Sequence, residues 1–175
     1  MFRINLILLL LLSTRFAVAE EWQVTKSQEG NFQIELPGEP EYSSRVIDNE
    51  AGKVKLHIFT LTETKSGIQV FMLMYNDFSD EVLKQKTTDQ LLTDAADGVK
   101  QNFKGKLLSD KKITSDKIPG KEFDLTSTKN GRVMHIHWRL LLAKNRMYQI
   151  ACMGIDKKVP DETVKRVRES FQLLK

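Results

Sequence analysis

His135 and His137 are separated by one residue, so on an extended strand both imidazoles point to one face. His57 could lie on a neighbouring strand, and two or three imidazoles on one sheet face can hold Zn²⁺ or Cu²⁺. Arg139 falls on the same face, where its charge opposes a cation. No cysteine or carboxylate stands at a fixed ligand spacing from the pair. Solvated or helix-covered histidines satisfy the pattern equally well. The expectation is no metal and no cofactor, with His135, His137 and Arg139 kept as binding residues.

Asp77 and Asp80–Glu81 follow Tyr75 and precede a helical pattern. Clustered oxygens suit Ca²⁺, and acidity ahead of a helix N-terminus explains the same residues. Tyr75, Asn76, Asp77 and Phe78 read as a semi-apolar loop able to serve as a recognition surface, or to pack on the sheet edge. Nucleophilic chemistry has no visible signature. There is no Gly-x-Ser-x-Gly elbow, and the nine glycines scatter at turns rather than forming a phosphate loop. The single cysteine, Cys152, lies in an apolar run and reads as a buried, inert thiol. No catalytic residue is expected.

Charge excludes another class. Of 27 basic side chains, Arg3 and Arg15 belong to a leader; the remaining 25 face 23 acidic ones, a balance of +2. The short clusters Lys104–Lys106, Lys111–Lys112, Lys157–Lys158 and Lys165–Arg168 read as solvated faces, not a nucleic-acid surface. The leader comprises Arg3, the apolar run Leu6–Leu12 and Ala17-Val18-Ala19. It reads as a signal peptide over residues 1–19, cleaved before Glu20. Its run is too short to span a bilayer comfortably, which takes about 20 residues, and no second long apolar stretch follows. Residues 20–175 read as a single domain. Apolar residues at 41% are enough for its core, because a chain of roughly 150 residues buries about two-thirds of its unfolded surface.

Period-two patterns supply most elements. Asn31–Leu36 alternates and is stopped by Pro37-Gly38-Glu39-Pro40. Glu41–Asp48 and Lys53–Thr64 flank a turn at Glu50-Ala51-Gly52. Lys65-Ser66-Gly67 then leads into Ile68–Tyr75, which is apolar on both faces and so predicted central. Thr87–Phe103 predicts a helix. Thr87 and Gln90 have the capping-box spacing, Leu91, Leu92, Ala95, Val99 and Phe103 form its stripe, and Gly105 follows its end. Lys106–Thr114, Ile118–Ser127, Arg132–Ala143 and Arg146–Gly154 follow as strands, with a hairpin at Lys129-Asn130-Gly131. A last helix begins at Pro160, with Val164, Val167 and Phe171 as its stripe. The class is α+β: an antiparallel sheet of hairpins flanked by helices.

Several stretches resemble exported bacterial proteins of the PsbP-like fold. They include Phe32–Pro40, Tyr75–Phe78 ending a central strand before the helix Leu91–Val99, and Gly105–Ile113 with Ile118–Phe123. Arg139–Leu142, Asn145–Tyr148 and Ser170-Phe171 are also similar. The resemblance implies an α/β/α sandwich and a non-enzymatic role. Such relatives act as extrinsic photosystem II subunits or as protein-binding modules, and many have no assigned function. The leader departs from a lumen-targeting transit peptide, which argues against photosynthesis. The expected function is a non-catalytic exported binding or accessory module. Its partner would be another envelope or extracellular protein, with neither nucleic acid nor a membrane span involved. The alternative is a metal-dependent hydrolase built on His57, His135 and His137.

Overall fold

The computed structural model describes residues 22–49, 52–65 and 67–174. The predicted leader, and residues 50, 51 and 66 of two predicted turns, lie outside them. The described chain forms β1 (Gln23–Ser27), β2 (Phe32–Leu36), β3 (Glu41–Asn49), β4 (Gly52–Glu63) and β5 (Ile68–Asp77). It continues through α1 (Asp80–Gln85), α2 (Thr88–Phe103), β6 (Lys106–Ser115), β7 (Ile118–Lys129) and β8 (Arg132–Ala143). It ends with β9 (Arg146–Ile155), α3 (Asp161–Ser170) and β10 (Gln172–Leu173). Seven strands pair in the order β3-β4-β5-β9-β8-β7-β6, and β1-β2-β10 forms a small second sheet. All strand pairings are antiparallel. Among the described residues, no helix is long and apolar enough to cross a membrane.

The large sheet buries both faces because its central strands are apolar on both. On one face Met74, Met147, Ala151, Ile136, Trp138, Leu140, Phe123 and Leu125 pack under Leu91, Leu92, Ala96 and Val99 of α2. On the other, Phe71, Leu73, Tyr75, Tyr148, Ile150 and Cys152 pack under Phe32, Ile34 and Leu36 of β2 and Val164 and Val167 of α3. One covering layer is therefore helical. The other is α3 together with the small sheet, which sequence periodicity merged into a single sheet of hairpins.

Local chemistry accounts for the boundaries. Thr87 and Gln90 close both halves of the predicted capping box on α2. At its end the left-handed residue is Lys104, φ 47, and not Gly105. Gly105 is needed for a different reason: a Cβ there would lie 2.5 Å from the Thr126 carbonyl oxygen. Asn130 and Gly131 are both left-handed, as the tight hairpin between β7 and β8 requires. Pro160 caps α3 instead of opening its first turn.

Candidate functional site

The Asn130-Gly131 turn places Lys129 opposite Arg132, and the antiparallel ladder carries that register inward. Glu122 then faces Arg139, and Asp124 faces His137, all on the side of the sheet turned away from α2. Arg139 Nε donates to Glu122 at 2.7 Å, and its Nη1 donates to the Arg168 carbonyl near the end of α3 at 2.6 Å. His137 Nδ1 lies 2.7 Å from Asp124 Oδ1, and Ser109 Oγ donates to Asp124 Oδ2 at 2.7 Å. Lys111 on β6 reaches Glu122 at 2.9 Å. From α3, Arg168 approaches Asp124 at 3.4 Å and Glu122 at 3.7 Å. These groups floor a cleft of about 480 Å³ between α3 and the β6–β8 face. A second hollow of about 220 Å³ shares Asp124, His137 and Asp161, and extends to His135, Lys158 and Leu108.

The cleft is electrostatically settled. The hydrogen bond with His137 holds the Asp124 carboxyl well below the usual carboxylate range, with Ser109 and Arg168 adding to it against burial. Burial pushes Glu122 up, but Lys111, Arg168 and Arg139 outweigh it and the net direction is down. An ionised Asp124 only accepts, so the His137 proton is assigned to Nδ1. Nε2 is buried without a hydrogen-bond partner. Cys152 on β9 lies opposite His137, so Cys152, His137 and Asp124 form one row across three strands, in the order of a nucleophile–base–acid triad. The row lacks its first link. No hydrogen bond joins Nε2 to the thiol, and burial pushes that thiol up to about 12, which keeps it protonated.

The predicted Tyr75–Phe78 loop is mostly strand. Tyr75, Asn76 and Asp77 close β5, because β9 supplies them partners as far as Arg146. Tyr75 is buried, its ring stacked on His57 at 4.3 Å and capped by the Arg146 guanidinium at 4.8 Å. Arg146 forks Asp77 at 2.6 and 2.7 Å and donates to the Glu29 carbonyl at 2.6 Å. Tyr148 Oη donates to the Gly30 carbonyl at 2.8 Å. Burial pushes the Tyr75 hydroxyl up to about 12 and lowers His57, with Glu29 opposing the latter. This cluster clamps the turn between β1 and β2 onto the large sheet. Phe78 is half-buried and, like Val82 and Leu83 of α1, packs against the core beneath α2. Asp80 and Glu81 open α1 behind the Ser79 cap, while Asp77 is spent on Arg146, so the three carboxylates do not converge.

His57 stands on β4, with β5 and β9 between it and β8. At about 4.8 Å per strand that is roughly 14 Å from His135 and His137. The three imidazoles do not meet. Among the described residues, no group of three or more His, Cys, Asp or Glu is arranged to hold a metal ion. Of the predicted site residues, the structure brings His137 and Arg139 to the cleft and His135 to the adjoining hollow, and leaves Tyr75, Asn76, Asp77 and Phe78 away from both. Glu122, Asp124, Lys111 and Arg168 were not anticipated. For Glu122 and Asp124 a signal existed: counting back from the Asn130-Gly131 turn puts them opposite Arg139 and His137.

No family model matches the chain, and no curated protein matches it in sequence. In three dimensions it is similar to cyanobacterial PsbP (CyanoP) from Synechocystis sp. PCC 6803. That likeness has a TM-score of 0.56 and 12% identity, over 91% of this chain and 95% of that one. A protein of unknown function from Pseudomonas aeruginosa is more distant, with a TM-score of 0.39 and 8% identity over 82% and 86% of the chains, and carries no argument. The protein has an α+β, PsbP-like fold. At this identity the likeness establishes the fold alone.

Proposed function

We propose that this protein is a non-catalytic exported accessory module that docks another envelope or extracellular protein in the cleft between α3 and the β6–β8 face. The carrying observation is the row Cys152–His137–Asp124. It is the nearest the molecule comes to a nucleophilic site, and its thiol is protonated and shut inside the sheet. The other cleft side chains are already occupied with one another, which suits recognition better than turnover. The PsbP-like fold is compatible with this reading. The leader pattern in residues 1–19 and the weak charge balance support export and a protein partner over nucleic acid.

The test is a photo-crosslinker at Lys165, exposed on the cleft rim, with one at Lys129 on the far hairpin as control. A single envelope protein crosslinked from the first position and not from the second is the expected result. Equal labelling from both would overturn the assignment of the cleft. N-terminal sequencing of protein recovered from cells is expected to begin at Glu20, and a chain still starting at Met1 would overturn export.

A further inference from the structure

We propose that β3 pairs antiparallel with β3 of a second copy of this chain, across a two-fold axis at Ser43, so that two large sheets run on as one. The surface is separate from the α3 cleft. β4, β5 and β9 lie between β3 and the cleft strand β8, and the pairing does not depend on what the cleft holds.

The two edges of the large sheet are not defended alike. A free edge presents unpaired N–H and C=O groups, which natural sheets blunt with lysines, prolines and bulges. β6 carries Lys106, Lys111 and Lys112, and its register shifts between Leu107 and Ser109. β3 has none of these devices. Its nine residues include neither lysine nor proline, and they pair with β4 without a break from Glu41 to Asn49. Glu41 to Val46 are all exposed. The edges of the small sheet are short, five residues in β1 and two in β10. β3 also presents an aromatic that is already fixed. Tyr42 is 51% exposed, yet its hydroxyl shares a hydrogen bond of 2.9 Å with His57 Nδ1, and its ring lies 5.1 Å from that of Phe59. Covering a ring held in this way costs little side-chain entropy.

The order of side chains along β3 selects the occupant. In a two-fold pair every contact occurs twice with the roles exchanged. Only alternate residues of an edge strand turn their N–H and C=O outward, and these must face each other, so the axis falls at a residue and not between two. An axis at Val46 or Ile47 leaves Glu41 and Tyr42 beyond the paired stretch. At Arg45 it sets two guanidiniums directly opposite, which is destabilising. At Ser44 it sets Glu41 against Ile47 and Arg45 against Ser43, so neither charge has a partner opposite. At Ser43 it sets Glu41 against Arg45 in both halves and the exposed Val46 against Pro40 in both halves. The two Tyr42 rings then lie diagonally across the axis, within aromatic reach, with small Ser43 side chains at the centre. Among the described residues neither Glu41 nor Arg45 has an ion partner in its own chain, so both charges are free to pair across the axis.

The test is sedimentation velocity of the chain from Glu20, at low salt and over a concentration series, with charge reversals on exposed side chains. The unaltered protein is expected to pass from monomer to dimer as its concentration rises. Glu41→Arg and Arg45→Glu each replace two attractive contacts by two repulsive ones, and each alone should weaken the dimer by more than about tenfold. An equal mixture of the two variants should dimerise again, and so should the double variant, because opposite charges then meet at every contact. Circular dichroism checks that each variant keeps its fold. Independently of charge, Ser43→Cys should crosslink to itself under mild oxidation, while Lys112→Cys on the guarded edge should not; the native Cys152 is buried and takes no part. Monomer at every concentration up to about 1 mM would overturn the proposal and leave the edge to another protein's strand. A dimer indifferent to the single reversals, folded single variants that the mixture fails to rescue, or equal crosslinking at the two cysteine positions would overturn it as well.

Discussion

The two sides of β8 solve different problems with alternate residues of one strand. Toward α2 it presents Met134, Ile136, Trp138, Leu140 and Leu142, which share a dry core with the helix. Toward α3 it presents His137 and Arg139, which meet carboxylates of β7 and line an open cleft, and His135, which faces Thr126 and lines the adjoining hollow. The first side needs only apolar volume, and many side-chain combinations would supply it. The second needs each charge opposite its partner, so it depends on register to the residue. A binding surface here is the part of the sheet where helix cover runs out and pairing takes over from burial.

Trp138→Ala should give the largest loss, about 4 kcal/mol by urea unfolding, because it empties a fully covered site. Arg139→Ala should follow at about 3 kcal/mol, since it strips one partner from buried Glu122, which keeps Lys111 and Arg168. The double replacement Glu122→Met with Arg139→Leu should recover most of that loss. If it does not, the two sides of β8 are alike in what they demand.

Acid ranks next. His57 is lowered from 6.5 by burial, so the unfolded chain takes up its proton first. Stability from this group is complete above pH 6.5 and falls as the pH drops from there toward the folded value. Asp124 is depressed in the folded state, so its contribution is in place above the ordinary Asp value of 3.8 and is lost below it. Urea midpoints from pH 8 to 3 should show both steps, with His57→Asn removing only the upper one. Thr87→Ala should cost about 1 kcal/mol by uncapping α2. Lys112→Ala, which breaks an exposed pair with Asp89, should change stability by less than about 0.5 kcal/mol.

The hairpins from β6 to β9 and helix α2 could be read directly, because their apolar periods are long and their turns carry Asn-Gly or a capping box. β1 could not: Gln23–Ser27 has a single apolar residue, Val24, and that one is exposed. α1 has six residues and no buried side chain, and β10 has two, so neither carries a period. The division into two sheets is invisible to period two, which reports which face a residue shares and not which strand lies beside it. The cleft was half visible, since His135, His137 and Arg139 lie on one strand. Arg168 arrives from a helix 29 residues beyond Arg139, and only tertiary packing brings the two together.

Cys152 sits in β9, the middle strand of seven, with its thiol closed off from water. While the sheet holds, an oxidant or a mixed-disulfide partner has nothing to attack, so even in an oxidising compartment the one sulfhydryl would be kept from crosslinking. The same enclosure makes that sulfhydryl a clock. The pace at which an alkylating reagent marks Cys152 in the native protein counts how often the centre of the sheet comes apart.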